Sequence, residues 1–465
     1  MSNALDRRTI LQALGASLGA ATLVGCGLDG ESADESVAEA ESDLVKSKDM
    51  LSQVKKIVVL CMENRSFDHY LGSRKFVEGR AVNGLTGTES NPSPAGGAPV
   101  TVFNLQSYTP ADPPHEWPDA HAQWDGGQND GFVVADAGPT QDQVMGYYLR
   151  SQLPTTYGLA DAFTTCDAYF ASVMGPTWPN RFYLHGATSH GVKDATPILD
   201  FVSIFDVLTA AGVSSVNYFS DVPWATAAYH KVTGLAPLPA FFAAAAAGTL
   251  PSFSIIDPQF LGPTQNDDHP ASDVRLGQAL IATIYAALAK SPDWKHCLFL
   301  VVYDEHGGFH DHVAPPTTPD ERPEFQQLGF RVPTLAIGPY VRKGAVSTTF
   351  DHASIIKTLT NRFNLSVMNQ RVAGANDLSS VLDPAFYKDP QPAPALPPLS
   401  ISYSALNARV QDHLLRAPTQ GHAELAAAAD AGIIPPHLDR RSSGLGATND
   451  VLAWGQQLGA LTIVP

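Results

Sequence analysis

The chain has 465 residues and a formal net charge of -17. This length allows a large buried core, and a hydrophobic content of 44% is that of a globular protein. The acidic balance argues against nucleic acid or an anionic membrane surface as a bulk electrostatic partner. An anionic ligand would therefore need a local basic pocket, to which some of the 15 histidines can contribute.

Residues 1–26 are typical of an export signal. Arg7 and Arg8 precede an apolar stretch that is shorter than the roughly 20 apolar residues a membrane span requires. Paired arginines favour twin-arginine export, and the Leu-Val-Gly-Cys ending resembles a bacterial lipobox with Cys26 as the lipidated first residue. A plain cleaved signal with an incidental cysteine is the alternative. We expect an exported, periplasmic or otherwise extracytoplasmic protein, anchored to a membrane through lipid on Cys26.

The remaining chain divides by composition into three parts. Residues 27–50 are acidic and poor in large apolar side chains, which predicts a solvated linker. Residues 51–390 carry the periodic patterns of a folded domain. Residues 391–465 begin with a Pro-rich connector and continue as a C-terminal tail whose role the sequence leaves open.

Within the main domain, apolar runs alternate with helical patterns. The runs predict strands at 55–62, 214–219, 251–257, 295–305 and 332–341, and the helical patterns cover 202–213, 273–294 and 352–363. Strands that alternate with helices indicate an α/β fold, with a mostly parallel central sheet and helices on both faces. Residues 73–150 are rich in Gly, Pro, Asn and Trp, so we expect an irregular insertion over one end of the sheet.

Polar pairs follow the two clearest buried strands. Glu63 and Asn64 come directly after "IVVLCM", and Asp304 and Glu305 come after "CLFLVVY". In open α/β sheets ligands bind at the carboxyl ends of the strands. Carboxylates gathered there repel each other unless a cation neutralises them, and oxygen ligands suit a hard or borderline divalent ion. Each pair alone is more simply a helix cap or a salt bridge, but two pairs in matched positions predict one divalent metal ion of unknown identity.

The segment "MGPTWPNRFYLHGATSHG" adds a hydroxyl group. Thr177 precedes Trp178 and Pro179, and Pro is favoured in the first turn of a helix, so Thr177 is predicted to be an N-cap. The backbone amides of such a helix would face an anion. Thr177 could instead be a nucleophile towards phosphorus, activated by the metal. Taken alone, the segment favours the capping role.

Loop histidines beside acidic residues complete the set. His115, His269 and His352 each have an acidic neighbour, an arrangement that can polarise or protonate a group near neutral pH. Individually each is more simply a loop histidine or a cap; taken together they are candidate site residues, with His352 assigned to substrate binding. The histidines of "HGGFHDHVAPP" match the spacing of no zinc motif.

Four of these segments resemble the bacterial phospholipase C and acid phosphatase family, to which plant non-specific phospholipases C also belong. They are "ENRSFDHYLG", "GPTWPNRFYLHGATSHG", "DDHP" and "DEHGGFHDHVAPP". The resemblance extends from about residue 55 to residue 365. It implies a core similar to alkaline phosphatase and makes residues 51–390 a phosphoesterase catalytic domain.

The resemblance also implies a role for each matching residue. Thr177 would be the nucleophile, and His115 and His269 would contact phosphate oxygens or the leaving group. Asn64 would bind both the metal and the phosphoryl group. The implied metal ligands are Glu63, Asn64, Thr177, Asp304 and Glu305.

We therefore predict an exported, metal-dependent phosphoric-ester hydrolase of the phospholipase C type, with a covalent phospho-enzyme formed on Thr177. Its expected partner is a phosphate ester or a phospholipid and not nucleic acid, while the oligomeric state stays open. One alternative is an acid phosphatase that acts on soluble monoesters. The acid phosphatase branch carries two adjacent histidines where this chain has Asp268 and His269, which counts against that branch. The other alternative is a catalytically silent lipoprotein that binds phosphorylated ligands.

Overall fold

A computed structural model describes residues 50–94, 96–402, 404 and 422–465. The predicted signal at 1–26 and all but the last residue of the predicted linker at 27–50 lie outside these described residues. Both assignments therefore stay predictions. Among the described residues, no helix is both long enough and apolar enough to cross a membrane.

The described part of the chain builds a central sheet of eight strands. They are β1 Lys56–Met62, β2 Thr164–Cys166, β3 Ser215–Phe219, β4 Leu235–Pro237, β5 Phe253–Asp257, β6 Cys297–Tyr303, β7 Thr334–Ile337 and β8 Gly344–Val346. Their order across the sheet is β8-β2-β7-β6-β1-β5-β3-β4. β7 runs antiparallel to its neighbours β6 and β2, and the other pairings are parallel. The predicted α/β fold with a mostly parallel sheet is confirmed.

The centre of the sheet fixes the position of the polar pairs. β1 lies between β5 and β6, and its last residue, Met62, is in register with Tyr303, the last residue of β6. All of β6 and all but the first residue of β1 are buried, so both faces of these strands are covered. Because the two strands are parallel and end together, the residues that follow them lie at the same edge of the sheet.

Helices connect and cover the strands. They are α1 Ser73–Glu78, α2 Trp117–Trp124, α3 Phe132–Ala135, α4 Pro154–Ala162, α5 Thr177–Gly186, α6 Ile204–Ala210, α7 Trp224–Tyr229, α8 Leu238–Ala247, α9 Val274–Lys290, α10 His352–Phe363, α11 Gln370–Gly374, α12 His422–Asp430 and α13 Gly444–Gln457. The three helices that the sequence predicts are present as α6, α9 and α10. The sequence patterns did not predict the short strands β2, β4 and β8, whose three residues are too few for a periodic signal.

The insertion at 73–150 consists of short helices and two-residue strands, as its composition predicts. Two of these strand pairs are Ser90–Asn91 with Val100–Thr101 and Phe103–Asn104 with Gly146–Tyr147. The insertion reaches the edge of the sheet where β1 and β6 end, because His115 contacts Asn64 there.

The described part of the tail packs on the catalytic core. β9 (Leu399–Ser402) pairs in parallel with β10 (Leu461–Val464), and α13 lies against α9. These tail residues belong to the same compact unit as the sheet. The described part of the tail is therefore packed against the main domain and belongs to the same folded unit.

Candidate active site

The two polar pairs predicted from the sequence meet at the ends of β1 and β6. The backbone N–H of Asn64 donates to Asp304 Oδ1 at 2.9 Å, and the N–H of Arg65 donates to the carbonyl oxygen of Glu305 at 3.0 Å. Glu63, Asn64, Asp304 and Glu305 are all buried. The parallel register of the two strands produces this arrangement.

Asn64 adopts a backbone conformation that few residues other than glycine favour. Its φ is 60°, in the left-handed region. Gly307 closes over it: a Cβ atom on Gly307 would lie 2.1 Å from the Asn64 carbonyl oxygen. The glycine thus allows the loop after β6 to hold Asn64 in this conformation.

Thr177 is the first residue of α5 and points towards the end of β1. Its Oγ1 lies 3.1 Å from Glu63 Oε2 and 3.3 Å from Asn64 Oδ1, and either oxygen can accept the single proton of the hydroxyl. The N-cap of the helix is Pro176, which has an extended backbone, so the prediction that Thr177 is the N-cap is wrong. The hydroxyl contacts predicted metal ligands instead of capping backbone amides.

Two of the four residues in these polar pairs have a buried carboxylate oxygen without a hydrogen-bond partner among the described residues. These oxygens are Asp304 Oδ2 and Glu305 Oε1. Burial raises the pKa of Asp304 well above its ordinary value, and the charges of Glu63 and Glu305 raise it further. A divalent cation would neutralise this repulsion and satisfy both oxygens. The residues present therefore fit a metal ion.

The positively charged side chain of Arg181 lies in this carboxylate cluster. It lies one turn after Thr177 in α5 and is completely buried. Its Nε donates to Glu63 Oε1 at 2.7 Å, and a second guanidinium nitrogen lies 3.4 Å from Asp257 Oδ1. Its third nitrogen donates to the Cys61 carbonyl oxygen at 3.1 Å. Arg181 holds Glu63, a predicted metal ligand, in place from the side of the core.

His115 reaches the site from the insertion. Its Nδ1 is 2.7 Å from the Pro113 carbonyl oxygen, and its Nε2 lies 3.1 Å from the side-chain nitrogen of Asn64. Burial lowers the pKa of His115, but Glu305 and Asp112 outweigh this effect and raise it to about 9. A cation bound by Glu305 would remove part of that increase.

His269 lies beside His115, with 5.9 Å between the ring centroids. Its Nδ1 contacts the Pro270 carbonyl oxygen, and its Nε2 is buried without a hydrogen-bond partner among the described residues. Burial lowers the pKa of His269, and His422 and His115 lower it further. The imidazole is therefore neutral at pH 7, with a lone pair on Nε2.

The side chain of Asp268, the residue before His269, contacts β6 and α9. Its Oδ2 accepts a hydrogen bond from the hydroxyl of Tyr303 at 2.5 Å, and its carboxyl group packs directly over Gly277. Arg65 donates to its backbone carbonyl oxygen at 2.8 Å. These contacts tie Asp268 to α9 and to the last residue of β6.

His352 contacts the backbone of Asp304, a predicted metal ligand. Its Nε2 lies 2.6 Å from the Asp304 carbonyl oxygen, and its Nδ1 lies 3.4 Å from the hydroxyl of Tyr169. With both ring nitrogens next to protein oxygens, the contacts favour a supporting role. The assignment of His352 to substrate binding stays a prediction.

The histidines of "HGGFHDHVAPP" separate into different contacts. His306 orients Glu305, with 3.1 Å between Nδ1 and Oε2. His312 pairs with Asp68 in a group that also contains Asp311, close enough together to hold a metal. Arg331 already lies between the two carboxylates of that group. The other such group among the described residues is Asp112, His115 and His269, beside the site.

Sequence reasoning missed three residues that shape the site. Arg181 had a signal, since residues four apart share one face of a helix. Asp267 is the first residue of the "DDHP" segment, and its carbonyl oxygen accepts a hydrogen bond from the N–H of Glu63 at 2.8 Å. His422 comes from the tail and packs against His269, with ring centroids 4.4 Å apart. Nothing in the sequence around His422 indicates a site.

A family model of the "Phosphoesterase family" matches residues 54–366. The chain belongs to the phosphoesterase family. The predicted resemblance and the prediction of a phosphoesterase enzyme are confirmed. The matched range spans β1 to α10 and so contains every site residue predicted from the sequence.

Curated relatives of this phosphoesterase carry phospholipase C names. Non-specific phospholipase C6 of Arabidopsis thaliana is 34% identical over 359 residues, which cover 68% of this chain and 69% of that protein. Phospholipase C B of Mycobacterium tuberculosis is 32% identical over 422 residues, which cover 74% of this chain and 80% of that protein.

Solved structures match this phosphoesterase only remotely. One is a protein in the alkaline phosphatase superfamily from Vibrio parahaemolyticus, with a TM-score of 0.38 and 13% identity over 73% of this chain and 79% of that one.

Proposed function

We propose that this phosphoesterase is a metal-dependent, phospholipase C-like hydrolase in which Thr177 attacks phosphorus. The observation that carries the proposal is the position of the Thr177 hydroxyl. It lies 3.1 Å from Glu63 and 3.3 Å from Asn64, at the start of a helix and beside a buried carboxylate cluster that suits a cation. The phospholipase C names of the relatives support a phospholipid or other phosphodiester substrate.

One divalent cation, of unspecified element, would be held by Glu63, Asn64, Thr177, Asp304 and Glu305. It supplies charge compensation for the phosphoryl oxygens when bound. The backbone amides of the first turn of α5 add partial positive charge at the same place. Arg181 keeps Glu63 oriented for this task through the 2.7 Å contact.

The chain's own residues account for the proton movements. As the Oγ of Thr177 bonds to phosphorus, its proton passes to Glu63 Oε2, which already accepts it in a hydrogen bond. The bond from phosphorus to the leaving oxygen breaks, and His115 gives that oxygen a proton. A water molecule then attacks the phospho-threonine and loses a proton to His269 Nε2, while the bond from phosphorus to the Thr177 oxygen breaks and that oxygen takes back the proton held on Glu63 Oε2.

The two alternative functions, acid phosphatase and silent binding protein, would give different patterns of hydrolysis. An acid phosphatase would prefer monoesters, and the contacts of Asp268 with Tyr303 and Gly277 give no support to that branch. A silent binding protein would need no hydroxyl between Glu63 and Asn64. Hydrolysis of a chromogenic phosphocholine ester, compared with a phosphate monoester and with chelator present or absent, separates the three.

Replacing Thr177 tests the proposal directly. Thr177→Ala should lower kcat by about 10⁴- to 10⁶-fold, because the nucleophile is lost, while inorganic phosphate still binds. Thr177 makes no capping hydrogen bond, so the free energy of unfolding should fall by only about 1–3 kcal/mol for the lost hydrogen bond of its hydroxyl. Thr177→Ser keeps the hydroxyl and should retain substantial activity. Turnover by the Ala variant near the wild-type rate would contradict the covalent mechanism.

Export is part of the same proposal. Arg7, Arg8 and Cys26 support twin-arginine export followed by lipidation, which would place the enzyme outside the cytoplasm and next to phospholipid. Because the surface carries a strong negative charge, a lipid on Cys26 would supply the membrane attachment that bulk electrostatics does not.

A further inference from the structure

The C-terminal tail reaches the candidate active site through His422, the first residue of α12. His422 is buried, and its Nε2 lies 3.1 Å from Asp267 Oδ2. Its ring is 4.4 Å from the ring of His269, at an interplanar angle of 50°. The side-chain nitrogen of Gln265 lies 3.2 Å from His422 Nδ1. The imidazole is thus held on two sides and packed against a proposed catalytic residue.

Asp267 connects His422 to the rest of the site. Its Oδ1 accepts a hydrogen bond from the N–H of His269 at 3.0 Å. Its carbonyl oxygen accepts one from the N–H of Glu63 at 2.8 Å. Asp267 therefore contacts the backbone of a proposed base through its side chain and that of a proposed metal ligand through its own backbone.

Apolar packing, independent of the contact between His422 and Asp267, also docks the tail on the domain. Leu425, Ala428 and Ala429 of α12, together with Ile434 and Leu438, pack in one buried cluster with Trp178, Phe182 and Trp224. Such apolar burial is sufficient to seat a helix without a polar contact at its first residue. The contact between His422 and Asp267 is consequently not needed to dock the tail.

We propose that His422 is a positioning residue of the active site, which holds Asp267 and, through it and through ring packing, fixes the imidazole of His269. This inference rests on the proposed function, in which His269 Nε2 takes a proton from water. A buried carboxylate that loses the polar group beside it would move towards another partner. His269 would then lose both the acceptor of its N–H and the ring that packs against it.

Two substitutions separate the polar contact from the shape. His422→Phe keeps a ring beside His269 but removes the donor to Asp267, and it should lower kcat about 10- to 100-fold, with little change in KM. That range is typical of partners that orient a functional imidazole. His422→Gln places an amide nitrogen near the position of Nε2 and should restore most of the lost kcat. If Gln and Phe are equally impaired, the contact with Asp267 is not what matters.

A double substitution tests whether His422 acts through His269. In a His269→Ala background, His422→Phe should cause no further loss of kcat, because the residue it positions is absent. An equal loss in both backgrounds would overturn the proposal. Leu425→Ala is the matched control, since Leu425 packs in the apolar cluster of α12. It should lower the free energy of unfolding and leave kcat near the wild-type value.

Hydrogen exchange gives a readout that does not depend on turnover. Backbone amides of the peptide 264–273 should exchange faster in His422→Phe than in the wild type, and at the wild-type rate in His422→Gln and Leu425→Ala. Unchanged exchange in His422→Phe would overturn the positioning role even in an active enzyme. If the wild type hydrolysed no phosphoric ester, the proposed function would fail, whereas the exchange result would still decide whether His422 holds Asp267.

Discussion

Arg181 offers the sharpest test of the electrostatics of the site. Replacing it by Met keeps an apolar chain of similar length but removes the guanidinium group. Its Nε contacts Glu63 Oε1 at 2.7 Å, and another of its nitrogens lies 3.4 Å from Asp257 Oδ1. Both carboxylates are buried, so neither can turn to bulk water in the variant.

The size of the effect follows from burial. Removing one partner of a buried ion pair costs about 3–5 kcal/mol, because the other charge is left uncompensated. This is a large part of the roughly 5–15 kcal/mol that stabilises a typical domain. We expect Arg181→Met to fold with a free energy of unfolding reduced by about 3–5 kcal/mol. A saturating divalent cation should restore part of the loss, because it compensates Glu63.

Urea unfolding at equal protein concentration, with added divalent cation and with chelator, measures both effects. Arg371→Met is the matched control, because Arg371 is also buried between two carboxylates, Asp320 and Asp351, which are not among the proposed metal ligands. Both variants should lose a similar free energy in chelator. The cation should reduce the loss in Arg181→Met but not in Arg371→Met.

The free energy of unfolding lost in Arg181→Met should depend on pH in a definite direction. Burial raises the pKa of Asp257 to about 6 even with Arg181 present, so the arginine's removal raises it further. Protonated Asp257 needs no guanidinium, and the deficit of Arg181→Met relative to wild type should therefore be smaller at pH 5 than at pH 8. A loss below about 1 kcal/mol at pH 8, or one that the cation leaves unchanged, would refute the reasoning.

Three further predictions concern the metal, the loop over Asn64 and export. Asp304→Asn should stabilise the metal-free protein, because the pKa of Asp304 is raised, and should lower its metal content; unchanged metal content by elemental analysis would remove Asp304 from the ligand set. Gly307→Ala should lower kcat about 100-fold by displacing Asn64, whereas Gly459→Ala, also at positive φ but with open space around it, should leave kcat unchanged. Cys26→Ser should release the protein from membranes; a mature N-terminus at another residue would disprove the lipoprotein assignment.

The sequence by itself determined the longer strands of the sheet and most of the cluster at its edge. The continuous apolar runs of β1 and β6 identify strands covered on both faces, and such strands are parallel and end at a common edge. Glu63 and Asp304 therefore follow from local pattern alone. The resemblance to the family added Thr177, which was otherwise indistinguishable from a cap.

Only the tertiary structure decided which partners complete the site. Thr177 proved to begin the helix rather than cap it, because Pro176 takes the extended conformation before the first turn. His422 lies 153 residues after His269 in the chain, and no local periodicity links the two. Their contact arises because the apolar face of α12 finds its place against the aromatic cluster of α5 and α7. Side-chain packing between distant segments is a property of the folded chain, and the sequence pattern around either histidine does not contain it.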